Sequence, residues 1–262
     1  MDETLHHRLS RLVREGARRP ERVPLARPAA SALPAGREVR TEHGAFYLVE
    51  RPLEEALRDG KRAALRRPAS PWRIAEGDGD PREVERPVFF DLETTGFTSC
   101  PLFLAATIDL RGGIVRQRFA RDYAEEKAVV AATAEEIACA EALVSYNGRS
   151  YDLPFLRHRA AMHRLPFSSP PAHLDLLHLC RRTWRGRFPD FRLQTIEKAL
   201  GRADRAGDVP GAEIPALYHE FVRRGHDPRM AAVFRHNLED VLTLVRLFFL
   251  LAEGGKERRG ER

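Results

Sequence analysis

Cysteine is scarce in this chain: 262 residues carry only Cys100, Cys139 and Cys180. They are odd in number, far apart and never in a Cys-x-x-Cys spacing, which argues against a disulfide framework and against a zinc site. Buried thiols in a reducing cytoplasm are the expectation. Long apolar runs are also missing. The greasiest stretch, Leu244 to Ala252, is interrupted by Arg246 and falls far short of the ~20 apolar residues of a membrane span. The first residues contain no apolar core of a secretory signal, so no membrane partner is expected. No internal repeat is present. Lysine is limited to Lys61, Lys127, Lys198 and Lys256 among 44 basic residues.

What is present is ordinary for a globular protein: 43% hydrophobic and 31% charged residues, with a net charge of +6. The positive balance fits a polyanionic partner. Because basic residues are arginine almost throughout, a local arginine cluster partly reflects a preference of the whole chain.

The stretch that organises the sequence is Pro87-Val-Phe-Phe-Asp-Leu-Glu-Thr-Thr-Gly96. Val88 to Phe90 reads as a buried strand, and residues two apart on a strand share a face. Asp91 and Glu93 therefore point together at the strand's end. Two adjacent carboxylates repel unless a cation lies between them, and a hard divalent ion with oxygen ligands meets that need. The bland alternative is a solvated strand end.

Around this strand the pattern is α/β. Residues 3–15 space Leu5, Leu9, Leu12 and Val13 as a short basic amphipathic helix, and Pro20 to Gly36 reads as a Pro/Ala/Arg linker. Glu38 to Val49 reads as a hairpin turning near Gly44, followed by a short helix over Leu53 to Leu57. Beyond Gly96, strands are expected at Phe103 to Leu110 and Ile114 to Phe119, joined by an Arg111-Gly112-Gly113 turn. A helix over 124–140, a strand at Ala142 to Tyr146 and a helix from Leu153 follow. The last helix, from Pro228 to about Ala252, has core residues Met230, Val233, Val241, Val245 and Phe248. His236, Asp240 and Thr243 form a separate polar stripe, which is either a solvated face that includes Glu239 or part of a site.

The motifs DLETTG (91–96), SYNGRSYDLPFL (145–156) and HNLEDV (236–241), in this order, resemble the three exonuclease motifs of the DEDD superfamily of 3′–5′ exonucleases. The stretches HLDLLHLCRRTW, FRLQTIEKALG and DVPGAEIPALYHEFVRRG resemble its bacterial YprB-like branch. The resemblance covers residues 85–253 and implies a ribonuclease-H-like fold, an α/β domain with a mixed five-stranded sheet flanked by helices. Residues 1–84 would be an N-terminal extension and 254–262 a charged tail. It implies a metal-dependent exonuclease for single-stranded DNA or RNA with a free 3′ end. Two Mg²⁺ or Mn²⁺ ions would be held by Asp91, Glu93, Asp152 and Asp240, with His236 accepting the water's proton near neutral pH. One departure stands out: His236 precedes Asp240 by four residues, the spacing at which the superfamily usually places tyrosine.

Leu92, Thr94, Thr95 and Gly96 are expected to contact the terminal nucleotide or to form an ordinary turn. Asn147 is expected to bind substrate, brace its loop or cap a helix. Tyr151 is expected to pack more than to stack on a base. Asp175 is an accessory acid or a structural one, and Arg181 to Arg187 is a single-strand groove or a product of the arginine preference. The rival functions are a structure-specific endonuclease, a silent nucleic-acid-binding module, and a tether that engages a protein partner through residues 1–36.

Overall fold

The structure, a computed structural model, describes residues 33–59, 72–74, 82–97, 99–199 and 207–257. The helix expected over residues 3–15 and most of the arm after it lie outside these residues. Among the described residues no helix is long and apolar enough to cross a membrane.

The chain opens with the expected hairpin, β1 (Arg37–Thr41) and β2 (Gly44–Pro52), followed by α1 (Leu53–Asp59). Two short strands, β3 (Trp72–Ile74) and β4 (Arg82–Val84), pair only with each other. The central strand β5 (Pro87–Thr94) is antiparallel to β6 (Leu102–Asp109), which turns into β7 (Ile114–Phe119). In that turn Gly113 has φ 66°, a left-handed conformation that glycine enters without a Cβ penalty. Helix α2 (Glu126–Ala138) then crosses to β8 (Ala142–Ser145), which pairs parallel with β5. A second crossover, α3 (Asp152–Met162), leads to β9 (His173–Asp175), parallel to β8. After α4 (Leu176–Thr183), α5 (Leu193–Ala199) and α6 (Ile214–Arg224), the described chain ends in α7 (Met230–Glu257).

The sheet order is β1-β2-β7-β6-β5-β8-β9. The last five of these are the mixed five-stranded sheet expected from the sequence. The hairpin of the N-terminal extension adds two strands, because β2 pairs along β7 from Tyr47↔Phe119 to Pro52↔Ile114.

Alternation along β5 sorts its side chains between the two faces of the sheet. Val88, Phe90 and Leu92 join the core beneath α2 and α3, whereas Phe89 joins the core formed with the middle and end of α7. Phe89 meets Phe248 edge-on, ring centroids 5.4 Å apart, a favoured aromatic geometry. Period two therefore places Asp91 and Glu93 on the Phe89 side, toward α7. The five core residues expected on α7 are all buried.

The loop after β5 is held from below by a buried ion pair. Arg159 on α3 grips Glu126 at the start of α2 with Nε and Nη2, each 2.6 Å from a carboxylate oxygen. Its Nη1 donates to the Ser99 carbonyl at 3.2 Å, and Glu126 also accepts the Leu102 amide at 2.8 Å. A two-toothed contact of this kind fixes orientation as well as distance, so α2, α3 and the 95–101 loop are referenced to one point.

Candidate functional site

Asp91 and Glu93 lie where β5 emerges from the sheet, and the register with β6 shifts between Glu93 and Thr94. The turn beyond is tied to itself. Thr94 Oγ1 donates to the Gly96 carbonyl at 2.9 Å, while the Thr95 amide and hydroxyl both donate to the Pro101 carbonyl, at 2.9 and 3.1 Å. Thr94 and Thr95 are thus turn-forming, and both are buried. Tyr151 reaches this turn from the loop before α3, its hydroxyl 2.9 Å from Thr94 Oγ1 and 3.2 Å from the Gly96 carbonyl. Its ring leans on Phe155 with a 5.7 Å centroid separation, in line with the packing expectation, yet it stays 37% exposed. Phe97, next to Gly96, is 85% exposed.

Asp152 is the first residue of α3 and is buried. The loop that delivers it turns at Asn147, which has φ 63°. Asn147 does not cap α3: its amide donates to Asp175 Oδ1 at 2.8 Å, its carbonyl accepts the Ser150 and Tyr151 amides, and its side chain is exposed. Asp175 is the brace of this loop. It accepts the Asn147 and Arg149 amides and caps α4 through the Leu177 amide, an N-cap arrangement that satisfies otherwise unpaired donors. Of its two sequence readings, the structural one describes its contacts.

The third group arrives on α7. His236 and Thr243, at 6% and 2% exposure, rule out a solvated stripe. His236 Nε2 is 3.4 Å from Asp240 Oδ2, and Glu93, His236 and Asp240 present ligand atoms all within 4.8 Å of one another. Thr243 lies one turn further on, hydrogen-bonded to the buried Glu197 of α5. Glu239 is half-buried rather than on an open face.

Electrostatics place Asp91 at the centre. Burial pushes its carboxyl well above the usual range, and the charges of Asp240, Asp152 and Glu93 push in the same direction, opposed by a hydrogen bond from Asn237. Asp152 is raised to about 7, chiefly by burial and also by Asp175 and Asp240, while its own amide and that of Leu92 pull it down. Leu92 thus sends its side chain into the core and offers its amide to Asp152. Four carboxyl groups from three distant segments converge, and the other three together make Asp91 harder to ionise. That all-oxygen cluster with a histidine beside it fits a hard divalent cation.

Three further residues complete the arrangement. Asn237 Nδ2 donates to Asp91 Oδ2 at 2.8 Å, and Gln117 of β7 steadies Asn237 by donating to its Oδ1 at 3.1 Å and to the Phe234 carbonyl at 2.8 Å. Asp208, before α6, lies with Oδ1 2.9 Å from His236 Nδ1. Asn237 stood inside HNLEDV and Asp208 opened DVPGAEIPALYHEFVRRG, so both were within motifs. Nothing local marked Gln117.

The description "RNase_H superfamily" fits residues 88–252. The chain is 32% identical over 172 residues to the "Uncharacterized protein YprB" of Bacillus subtilis (strain 168), an alignment covering 63% of this chain and 41% of that protein. It thus spans about two fifths of that relative's length. Among solved structures it is similar in fold to the family B DNA polymerase of the hyperthermophilic archaeon Pyrobaculum calidifontis. That match has a TM-score of 0.51 and 18% identity, over 64% of this chain and 24% of the polymerase. The chain belongs to the RNase_H superfamily.

Proposed function

We propose that this protein is a divalent-metal-dependent 3′–5′ exonuclease of the DEDD type, hydrolysing single-stranded DNA or RNA. The observation that carries the reading is the crowding of Asp91 by Glu93, Asp152 and Asp240, which is unfavourable without cations. Asp91, Glu93, Asp152 and Asp240 would hold the ions, Mg²⁺ or Mn²⁺ by their oxygen donors. When bound, two such ions neutralise charge on the attacking and leaving oxygens and make water a better nucleophile.

The protein's own groups do the rest. His236 takes the proton of the attacking water at Nε2, the nitrogen beside Asp240. Asp208 keeps that nitrogen available: a carboxylate only accepts, so the proton of the neutral imidazole resides on Nδ1, facing Asp208. Asn237 and Gln117 hold the Asp91 carboxylate in one orientation. Tyr151 ties the Asn147 to Tyr151 loop to the turn at Thr94 to Gly96, and both segments would line the substrate seat. The exposed faces of Phe97 and Tyr151 supply aromatic surface for a terminal base.

The direct test uses 5′-labelled single-stranded DNA and RNA with Mg²⁺ or Mn²⁺. A ladder should shorten from the 3′ end and stop when EDTA is added. A circular or 3′-blocked strand should persist; its degradation would instead assign an endonuclease, and no hydrolysis with any divalent ion would remove the nuclease reading.

Asp208→Ala should lower kcat by about 10–100-fold, the usual cost of losing a group that orients an active one. KM and Mn²⁺ affinity should change much less, and Asp208→Glu should recover part of the rate. An unchanged kcat would separate Asp208 from the reaction.

A further inference from the structure

Residues 181–192, from the end of α4 to the start of α5, contain Arg181, Arg182, Arg185, Arg187 and Arg192 against a single acid, Asp190. Arginine preference alone does not produce this. With 44 basic and 38 acidic residues in 262, twelve residues should hold about two of each, the near-balance of a mixed solvated surface. Here the local net charge is +4, two thirds of the +6 of the whole chain. All five arginines are exposed, and Arg185 and Arg187 form no ion pair among the described residues.

Aromatic rings are interleaved with these charges. Trp184, Phe188 and Phe191 follow one another edge-on, with centroids 5.8 and 6.2 Å apart. Each rests on the core beneath and remains half-exposed above. The segment is also fastened beside the site. Tyr146, which precedes the Asn147 loop, donates its hydroxyl to the Phe191 carbonyl at 2.7 Å. Asp175, which braces that loop, caps the helix from which the segment leaves.

The geometry points to a docking track for single-stranded nucleic acid along Arg181, Trp184, Arg185, Arg187 and Phe188, carrying the part of a strand remote from the reacting end. Guanidinium groups match phosphate in charge and fork geometry, and half-exposed rings offer stacking faces that tolerate any base. An acidic protein segment would use the charges and leave the rings unused. The inference rests on the proposed nuclease function only for the claim that the bound strand ends in the site.

The test uses the full chain in EDTA, with fluorescein-labelled 20-residue oligo(dT) and oligo(U) followed by anisotropy. Arg185→Gln/Arg187→Gln should weaken binding about tenfold or more. The slope of log affinity against log salt should become shallower by about 1.4, since each phosphate contact on a single strand contributes about 0.7. Trp184→Leu should weaken binding without changing that slope. With Mn²⁺ restored, the double variant should hydrolyse the p-nitrophenyl ester of thymidine 5′-monophosphate as the wild type does, while its KM for the 20-mer rises.

Unchanged affinity and slope would overturn the track, as would equal competition by poly-glutamate at matched charge. A parallel loss of small-ester hydrolysis would overturn it too, by showing that the variant disturbs the site. If the wild type hydrolyses neither substrate but the arginine and tryptophan variants still lose binding, the track stands and the nuclease reading falls.

Discussion

Asp91→Asn is expected to abolish hydrolysis while raising the melting temperature of the metal-free protein. Asp91 is the group on which the charges of Glu93, Asp152 and Asp240 converge, on top of the cost of its own burial. Asparagine keeps its shape and still offers an oxygen to Asn237 Nδ2, now 2.8 Å from Asp91 Oδ2. Removing one charge from a like-charged buried cluster relieves repulsion, and each kcal/mol gained should lift the melting temperature by about 2–4 °C at this size.

The same change removes the carboxylate proposed to hold the cations, so the rate should fall by about 10²–10³-fold, as when a group stabilising the reacting charge is lost. Added Mn²⁺ should stabilise the wild type, by about 2.7 kcal/mol at a hundredfold excess over Kd, and leave the variant nearly unmoved. The pH dependence has a definite sign. An acid whose folded pKa lies above its unfolded value costs nothing below the unfolded pKa and costs fully above the folded one. With Asp152 raised to about 7 and Asp91 raised as well, the metal-free wild type should lose stability from about pH 4 to about pH 7. Asp91→Asn should flatten that loss. Calorimetry in EDTA and in Mn²⁺ reads all of these; a variant that melts lower, still responds to Mn²⁺ and still cleaves would refute the cluster's role.

Gly148→Ala is expected to damage stability and rate together. A Cβ at this position would lie 2.3 Å from Ser145 Oγ and 2.6 Å from Ser145 Cβ, with Asp152 Oδ2 at 3.2 Å. Ser145 has little room to yield, being buried in β8 with its hydroxyl 2.8 Å from His173 Nε2. Overpacking of this sort costs about 1–3 kcal/mol. The loop must shift, and it carries Asp152, so a misplacement on the order of 1 Å should cost about 10²-fold in rate. Pairing the change with Ser145→Gly, which removes the obstructing Cβ, should return part of both losses as a coupling between neighbours. Wild-type melting and rate in Gly148→Ala alone would show that the loop is not confined as described.

Much of the architecture was legible because it depends on local geometry. The run Val88 to Phe90, the Arg111-Gly112-Gly113 turn, the hairpin near Gly44 and the core stripe of α7 each announce themselves by period or turn chemistry. The union of the extension's hairpin with the main sheet was not legible, because β2 pairs with β7 across more than 60 intervening residues. No local pattern encodes such a partner. The polar stripe on α7 was ambiguous for the same reason: spacing places His236, Asp240 and Thr243 on one face, but only burial separates a site from a solvated surface.

The sequence by itself determined that Asp91 and Glu93 share a face of one strand, since side-chain direction follows from backbone period alone. The resemblance of its three motifs further suggests which distant acids to set beside them. The tertiary structure alone decided that Asn237 and Gln117 hold Asp91, that Asp208 faces His236, and that Asp175 braces the Asn147 loop through backbone amides. These contacts span 26 to 146 residues of chain. They follow from how the sheet and helices bury one another, because a polar group taken out of water takes whichever partner the packing brings to it.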